Sequence, residues 1–321
     1  MNTISIGIPV YNQVNTIADA IEAALAQTTS AMEIVVSENH STDGTAEVVA
    51  RYKDRIRIVH PPVHCSMAAN WNFCVSSCKG DWVALCSGDD ILLPEYVNQM
   101  SKGAMSDKDA VFVMGGWENK DEVTGKIAPN FLFSMNQITR VPKTIEMQLL
   151  GPKASFAAFC FKKSAYEKIG GFNETFHLIQ DWMFQFDMSK LGSFIKVNHL
   201  VAQYRTFDRP ASIEQYRSSL YIKDRIYYLD VKIWEALEYG ISNKKVTEAS
   251  KDLFNRLMDF MNEFNVKLDI DSENKLMGIA NRIGMVKQFN QWLAGKWVVK
   301  KENQIPVLLK KCVRRILNVL H

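Results

Sequence analysis

Ile4-Ser5-Ile6-Gly7-Ile8-Pro9-Val10, running into Tyr11-Asn12, is the stretch from which the fold can be read. A short β-branched run that stops at a polar turn reads as a buried strand. Over 16–27 the apolar residues Ile17, Ala20, Ile21, Ala24 and Leu25 recur at three- and four-residue steps, which predicts an amphipathic helix. A second strand is predicted over 33–37, then a polar turn at Ser41-Thr42-Asp43-Gly44-Thr45, a helix through Val48, Val49 and Tyr52, and a third strand over 55–60. This alternation predicts an α/β fold: a parallel sheet flanked by helices, with ligands at the carboxyl ends of the strands.

Working outward, a helix is expected over 67–78 and a strand over 81–86 that ends in Ser87-Gly88-Asp89-Asp90. Pro94 suits the first position of the next helix, where its missing N–H costs nothing. A strand follows over 110–114, a turn-rich variable stretch over 119–136, an apolar run over 155–162 and a helix over 164–169. Gly170-Gly171-Phe172-Asn173-Glu174 then turns the chain, and Gln180-Asp181-Trp182 begins another helix. Beyond Pro210 the pattern is helical, over 216–237 and 246–264, so the domain boundary is expected near 211–213: a catalytic domain at 1–212 and a helical region at 213–321.

A chain of 321 residues exceeds one small core, and 47% hydrophobic with 23% charged residues is a folded, globular balance. Cations are concentrated late: 213–321 holds 19 Lys+Arg against 13 Asp+Glu, while the whole chain is only +3. The six cysteines form no CxxC pair, no basic stretch precedes a long apolar segment at the N-terminus, and no 18-residue apolar run occurs. These features predict a cytoplasmic protein, neither secreted nor spanning a membrane.

Two adjacent carboxylates at the end of a buried strand repel each other, and a divalent cation would remove that penalty. Mg2+ and Mn2+ favour a few carboxylates plus phosphate oxygens, so Asp89 and Asp90 are candidate metal ligands. Taken alone, the tetrapeptide reads first as an acidic turn before a helix.

The order and spacing of Ile8-Pro9-Val10-Tyr11-Asn12, Ser37-Glu38-Asn39-His40-Ser41-Thr42-Asp43-Gly44-Thr45, Ser87-Gly88-Asp89-Asp90, Gly170-Gly171-Phe172-Asn173-Glu174 and Gln180-Asp181-Trp182 resemble the family 2 inverting glycosyltransferases of the GT-A fold. The resemblance covers the first two-thirds of the chain. It implies a GT-A nucleotide-diphospho-sugar transferase domain, a Rossmann-like mixed sheet flanked by helices, with a helical C-terminal extension. Pro9, Val10 and Tyr11 would then pack against the nucleotide base and Asn39, beside Glu38, would hydrogen-bond it. The family usually has aspartate in place of Asn39 and of Ser87; a UDP-sugar is the favoured donor, and asparagine leaves the base open.

The same resemblance puts Asp89 near ribose and metal and makes Asp90 the direct ligand of Mn2+ or Mg2+, while Phe207 stands where a histidine would have been a third ligand. Asp181 matches the catalytic base that takes the acceptor's proton, although an isolated Gln-Asp-Trp would read as a helix N-cap. Asn70 would reach the diphosphate or ribose, and Arg205 with Arg209 would approach the donor phosphates. Trp182 is open between a sugar-stacking plate and core packing.

In the tail, Ile305, Leu308, Leu309, Cys312, Val313, Ile316, Leu317 and Leu320 oppose Lys310, Lys311, Arg314 and Arg315. Residues 305–320 therefore suit either an anionic membrane surface or packing on the protein's own domain. The expected reaction is transfer of a hexose-type sugar from a nucleotide-diphosphate donor to a glycan or lipid-linked acceptor, at the inner face of the cell membrane. A sugar-phosphate nucleotidyltransferase would carry a glycine-rich basic loop after the first strand, which Pro9-Val10-Tyr11-Asn12-Gln13 lacks. A nucleic-acid-binding protein would interleave basic and aromatic residues, whereas the tail's basic residues lie opposite an apolar stripe; no nucleic-acid partner is expected.

Overall fold

The computed structural model describes residues 3–207, 219–264 and 266–295. Their contacts define two compact units, one from Met1–Thr175 with Gln180–Phe207 and one from Phe176–Ile179 with Asp208–His321. The boundary expected near 211–213, Arg209, and the tail at 305–320 lie outside the described residues.

In chain order the first unit runs β1 (Ile4–Val10), α1 (Ile17–Leu25), β2 (Glu33–Glu38), α2 (Thr45–Ala50), β3 (Arg57–Val59), α3 (Met67–Ser77), β4 (Trp82–Leu85), β5 (Ile91–Leu92) and α4 (Tyr96–Met105). It continues with β6 (Ala110–Asp121), β7 (Ile127–Phe131), β8 (Gln137–Thr139), α5 (Lys143–Gln148), β9 (Phe159–Lys162), α6 (Lys163–Lys168), α7 (Gln180–Met188) and β10 (Ser193–Thr206). One sheet takes the order β3-β2-β1-β4-β9-β6-β10-β5, with β7 on β6 and β8 on β10. The pairs β1–β2, β1–β4, β2–β3 and β6–β10 are parallel. β9 lies antiparallel between β4 and β6, so the sheet is the mixed one expected.

The alternation of the strands separates two cores. Ile4, Ile6 and Ile8 pack with Trp82 and Ala84 against Ile17, Ile21 and Met100 on one face. Val83 and Leu85 belong to the other, with Val35, Cys74 and a group of phenylalanines. Between Ile6 and Ile8, Gly7 lets α3 approach: an added Cβ would lie 2.8 Å from Cys74 Sγ and 2.9 Å from Leu85. Phe112 stacks on Phe159 at 4.7 Å and on Phe194 at 4.5 Å, and Phe172 sits 4.3 Å from Phe184. Each such ring contributes roughly 1.5–3 kcal/mol by burial, which ties the Gly170-Gly171-Phe172 turn to α7.

The structure revises three expectations. The 119–136 stretch is not a simple loop, because β6 extends to Asp121 and returns as β7. Asp121 stabilises that turn by accepting the N–H groups of Val123 and Thr124, each at 3.0 Å. β10, fourteen residues long, was not legible, since its irregular pairing with β6 breaks the two-residue period. Third, the helix predicted over 216–237 is divided: Ser219–Asp230 is α-helical and Lys232–Tyr239 forms 3-10 turns.

The second unit also contains the helices Asn243–Glu263, Ile270–Ile283 and Val286–Leu293. Asp269 caps the Ile270–Ile283 helix by accepting the Ser272 N–H at 2.8 Å. Asp224 accepts the N–H groups of His177 and Leu178, both at 2.9 Å, which joins 176–179 to this unit. No helix among the described residues is long and apolar enough to cross a membrane.

Candidate functional site

The site lies where β1, β2 and β4 end. Pro9 and Val10 are buried at the end of β1, paired with Ser37 and Glu38 of β2, and only Tyr11 of the three is exposed, at 42%. Its ring meets His64 at 4.5 Å between centroids. Pro9 and Val10 thus lie buried behind Tyr11, which is the exposed member of the trio expected at the base.

The turn after β2 is closed on itself. Glu38 accepts the Ser41 N–H at 2.7 Å and the His40 N–H at 3.2 Å, and His60 Nδ1 lies 3.3 Å from the same carboxylate. Asn39, 2% exposed, donates from Nδ2 to the Cys65 carbonyl at 2.9 Å and accepts the Cys65 N–H at 3.0 Å. Both ends of that amide are engaged, so Asn39 fixes the 64–65 loop beside Tyr11 and does not present its side chain to a base. Asn12 accepts the Thr42 N–H at 2.8 Å, Asp43 the Val14 N–H at 3.1 Å, and Thr45 Oγ1 the Gln13 N–H at 2.8 Å. Burial alone would push the Asp43 carboxyl up, but the Thr45 hydroxyl and the Val14 and Thr45 N–H groups bring it below its ordinary value.

Asn70 is likewise inward. Its Oδ1 accepts from Ser37 Oγ at 2.6 Å and its Nδ2 donates to the Ser37 carbonyl at 3.3 Å, with only 4% exposure. Here Asn70, expected at the donor, braces α3 against β2. Asn72, two residues on, secures the Gly-Gly-Phe turn: it accepts the Phe172 N–H and donates to the Phe172 carbonyl, both at 2.9 Å.

In the turn after β4 the two aspartates diverge. Asp90 is 3% exposed, and Oδ1 accepts the backbone N–H of Arg205 at 3.1 Å. Burial, reinforced by the charge of Asp89, pushes the Asp90 carboxyl well above its ordinary value, against the Arg205 N–H and guanidinium. Asp89 stays partly exposed and accepts a short hydrogen bond from Ser87 Oγ. Gly88 leaves room for Gln13, whose Oε1 would lie 2.4 Å from an added Cβ. Of the two expected metal ligands, Asp89 is thus the more exposed and Asp90 the one held by Arg205.

Arg205 is also placed differently from its expected phosphate role. Its Nε donates to Glu122 at 2.6 Å, its Nη1 to Asp19 at 2.9 Å, and the guanidinium lies 5.3 Å from the Phe207 ring centre. Asp19, Glu122, Gln13 and His64 went unnoticed in the sequence because each belongs to a different segment with no motif of its own.

Asp181, half-buried, stands in the first turn of α7. Burial pushes its carboxyl up to about 6, while the N–H groups of Trp182 and of Asp181 itself pull down. α7 ends shortly before β10 starts beside Ala110, at the far end of the sheet, so its first residues are directed to the end where β1 and β4 finish. The Trp182 ring lies over Gly151, 3.1 Å from where a Cβ would project. That contact supports the packing alternative for this residue.

Among the described residues no group of three His, Cys, Asp or Glu side chains could hold a metal ion. The donor set at 87–90 nevertheless fits a divalent cation that arrives with a diphosphate, since Mg2+ in such complexes needs only one or two carboxylates beside phosphate oxygens and water.

An α/β domain with a mixed sheet and an acidic turn at the end of its fourth strand defines a GT-A sugar-transferase fold. The chain belongs to glycosyl transferase family 2, whose family model matches residues 5–170. Similar proteins include the putative glycosyltransferase EpsE of Bacillus subtilis, 34% identical over 100 residues (30% of this chain, 36% of EpsE). Hyaluronan synthase of Pasteurella multocida is 24% identical over 306 residues, 89% of this chain and 30% of that one. The chain spans about a third of the length of the first curated relatives it matches. Among solved structures, S. aureus TarS 1-349 superposes with a TM-score of 0.66 at 14% identity, covering 92% of this chain and 88% of that one. The Pyrobaculum calidifontis mannosyltransferase PcManGT gives 0.56 at 13% identity, covering 92% and 87%.

Proposed function

We propose that this chain transfers a hexose-type sugar from a nucleotide-diphosphate donor to a glycan or lipid-linked acceptor, with inversion at the anomeric carbon. The observation that carries the reading is the divided acidic turn: Asp90 anchored inward on Arg205 and Asp89 left toward solvent at the end of β4. Asp89 would hold the Mn2+ or Mg2+ that accompanies the donor's diphosphate, and that ion would supply positive charge for the departing phosphate. Asp90 keeps the turn in register, and Tyr11 with His64 offers an aromatic surface to the base.

Asp181 takes the acceptor hydroxyl's proton as that oxygen attacks the anomeric carbon from the face opposite the leaving diphosphate. A carboxyl shifted to about 6 suits this task, being ionised at neutral pH yet more basic than an ordinary aspartate. Solved structures of TarS with UDP-GlcNAc and of PcManGT with GDP-Man and Mn2+ support a nucleotide-sugar donor without choosing the base. A UDP-sugar remains favoured, although the inward Asn39 leaves recognition of the base to other groups. The relatives that build polysaccharides support glycan assembly, and the apolar and basic faces of the 305–320 sequence favour anionic lipid at the cytoplasmic face.

The test is donor hydrolysis and transfer across UDP- and GDP-sugars with Mn2+ or Mg2+, comparing wild type with Asp89→Asn and Asp181→Asn. Metal-dependent turnover lost in both variants is expected. Absence of binding and turnover for every donor with either metal would overturn the reading.

A further inference from the structure

At the end of the sheet opposite the acidic turn, where β6 and β10 begin, an open cavity of about 450 Å³ lies within the first unit. Four cations from four segments line it: Lys108 ahead of β6, Arg140 after β8, Lys162 ending β9 and Lys168 ending α6. The lining holds one acid, Asp109. Arg140 is anchored from behind by Asp107 at 2.8 Å, and Asp107 also accepts the Asp109 N–H at 3.0 Å. Lys108 and Lys168 are exposed and have no hydrogen bond or ion pair among the described residues.

We propose that this cavity binds a compact polyanion of the oligophosphate type. With Arg140 compensated by Asp107 and one acid, Asp109, in the lining, Lys108, Lys162 and Lys168 leave the concavity net positive, a field that a ligand of two or more negative charges relieves. The volume falls within the roughly 300–1,000 Å³ of small-molecule sites and exceeds what one phosphate fills. Ser164 and Ser193 add hydroxyls to the lining, and Val141 and Leu191 give it apolar edges in place of aromatic rings on which bases would stack. β6 runs from Ala110 at the cavity to Asp121 near the Arg205–Glu122 pair, so the separation from the acidic turn is on the order of 35 Å at about 3.3 Å per residue. The ligand is thus separate from the sugar donor, and the proposal stands whether or not the donor reading does. Its phosphates come either from a soluble metabolite or from a phosphomonoester lipid headgroup.

The experiment is calorimetric titration of the full chain with inorganic triphosphate in EDTA, beside co-sedimentation with phosphatidylcholine vesicles that do or do not contain phosphatidic acid. The double variant Lys108→Gln/Lys168→Gln is expected to weaken triphosphate binding about tenfold or more, the scale of removing two phosphate-facing charges. Asp89→Asn and the exposed-lysine control Lys79→Gln/Lys102→Gln are expected to bind like wild type. Loss of phosphatidic-acid vesicle binding in the double variant assigns the headgroup source; loss of triphosphate binding alone assigns the soluble one. The single variants Lys108→Gln and Lys168→Gln, each expected to weaken binding severalfold, serve if the double variant folds poorly. Wild type that binds neither probe, or lysine variants that match it on both, would overturn the proposal.

Discussion

The turns after β2 and β4 are both short, polar and at strand ends, yet they use their polar groups in opposite ways. After β2, Glu38, Asn39 and Asp43 accept N–H groups of Ser41, Cys65 and Val14, so the loop is braced from within. After β4, one carboxylate, Asp90, does the same with Arg205, and its neighbour Asp89 is left toward solvent. A polar side chain whose hydrogen-bonding capacity is filled by the backbone builds a wall. Chemistry requires one that is held in place yet still reaches solvent, as the partly exposed Asp89 and Asp181 do.

The contrast is broken most severely by Asp181→Asn. Its loss as a base should lower kcat by roughly 10²–10⁴ while the donor's dissociation constant changes little, as single-turnover transfer and calorimetry would read. Asp89→Asn should follow, weakening metal-dependent donor binding by about 10- to 100-fold with unchanged melting temperature, in line with the loss of a metal-anchoring carboxylate. If Asp89→Asn instead unfolds the protein, the outward carboxylate is a wall group like the others.

Smaller effects should separate the wall. Glu38→Ala leaves the His40 and Ser41 N–H groups without their acceptor and should cost about 1–3 kcal/mol in denaturant unfolding. Asn39→Ala should behave similarly, with no change in preference between UDP- and GDP-sugars; a change would restore Asn39 as a base contact.

The pH dependence gives the finest comparison. Because Asp181 must be ionised to accept a proton, kcat/KM should rise with pH through about 6, and Asp181→Asn should lack that limb. The folded carboxyl holds its proton more tightly than the unfolded one, so its contribution to stability is favourable at low pH and declines as pH rises from near 3.8 to about 6. Asp181→Asn should consequently be the more stable protein at pH 8, by on the order of 1 kcal/mol, and lose that advantage below pH 4.

Most of the framework that carries these groups is visible in the chain itself. The Ile4, Ile6, Ile8 alternation and the three- and four-residue steps of α1 are local patterns that burial on one face imposes, so β1, α1, β2 and α3 could be read directly. The acidic turn and Asp181 were marked out by the family resemblance alone, since by local pattern each reads as an ordinary turn or helix cap. β10 and the β6–β7 hairpin were not legible, because register shifts against a distant strand replace the simple period.

Sequence by itself determined which residues can carry charge at the strand ends and in what order they occur. Tertiary structure alone decided which of them remain available. Asn39 is closed by Cys65, Asn70 by Ser37 and Arg205 by Glu122 and Asp19, partners from 26 to 186 residues away for which no local pattern accounts. A hydrogen bond is satisfied by whatever group the fold brings within about 3 Å, and that neighbour is set by packing and not by spacing along the chain.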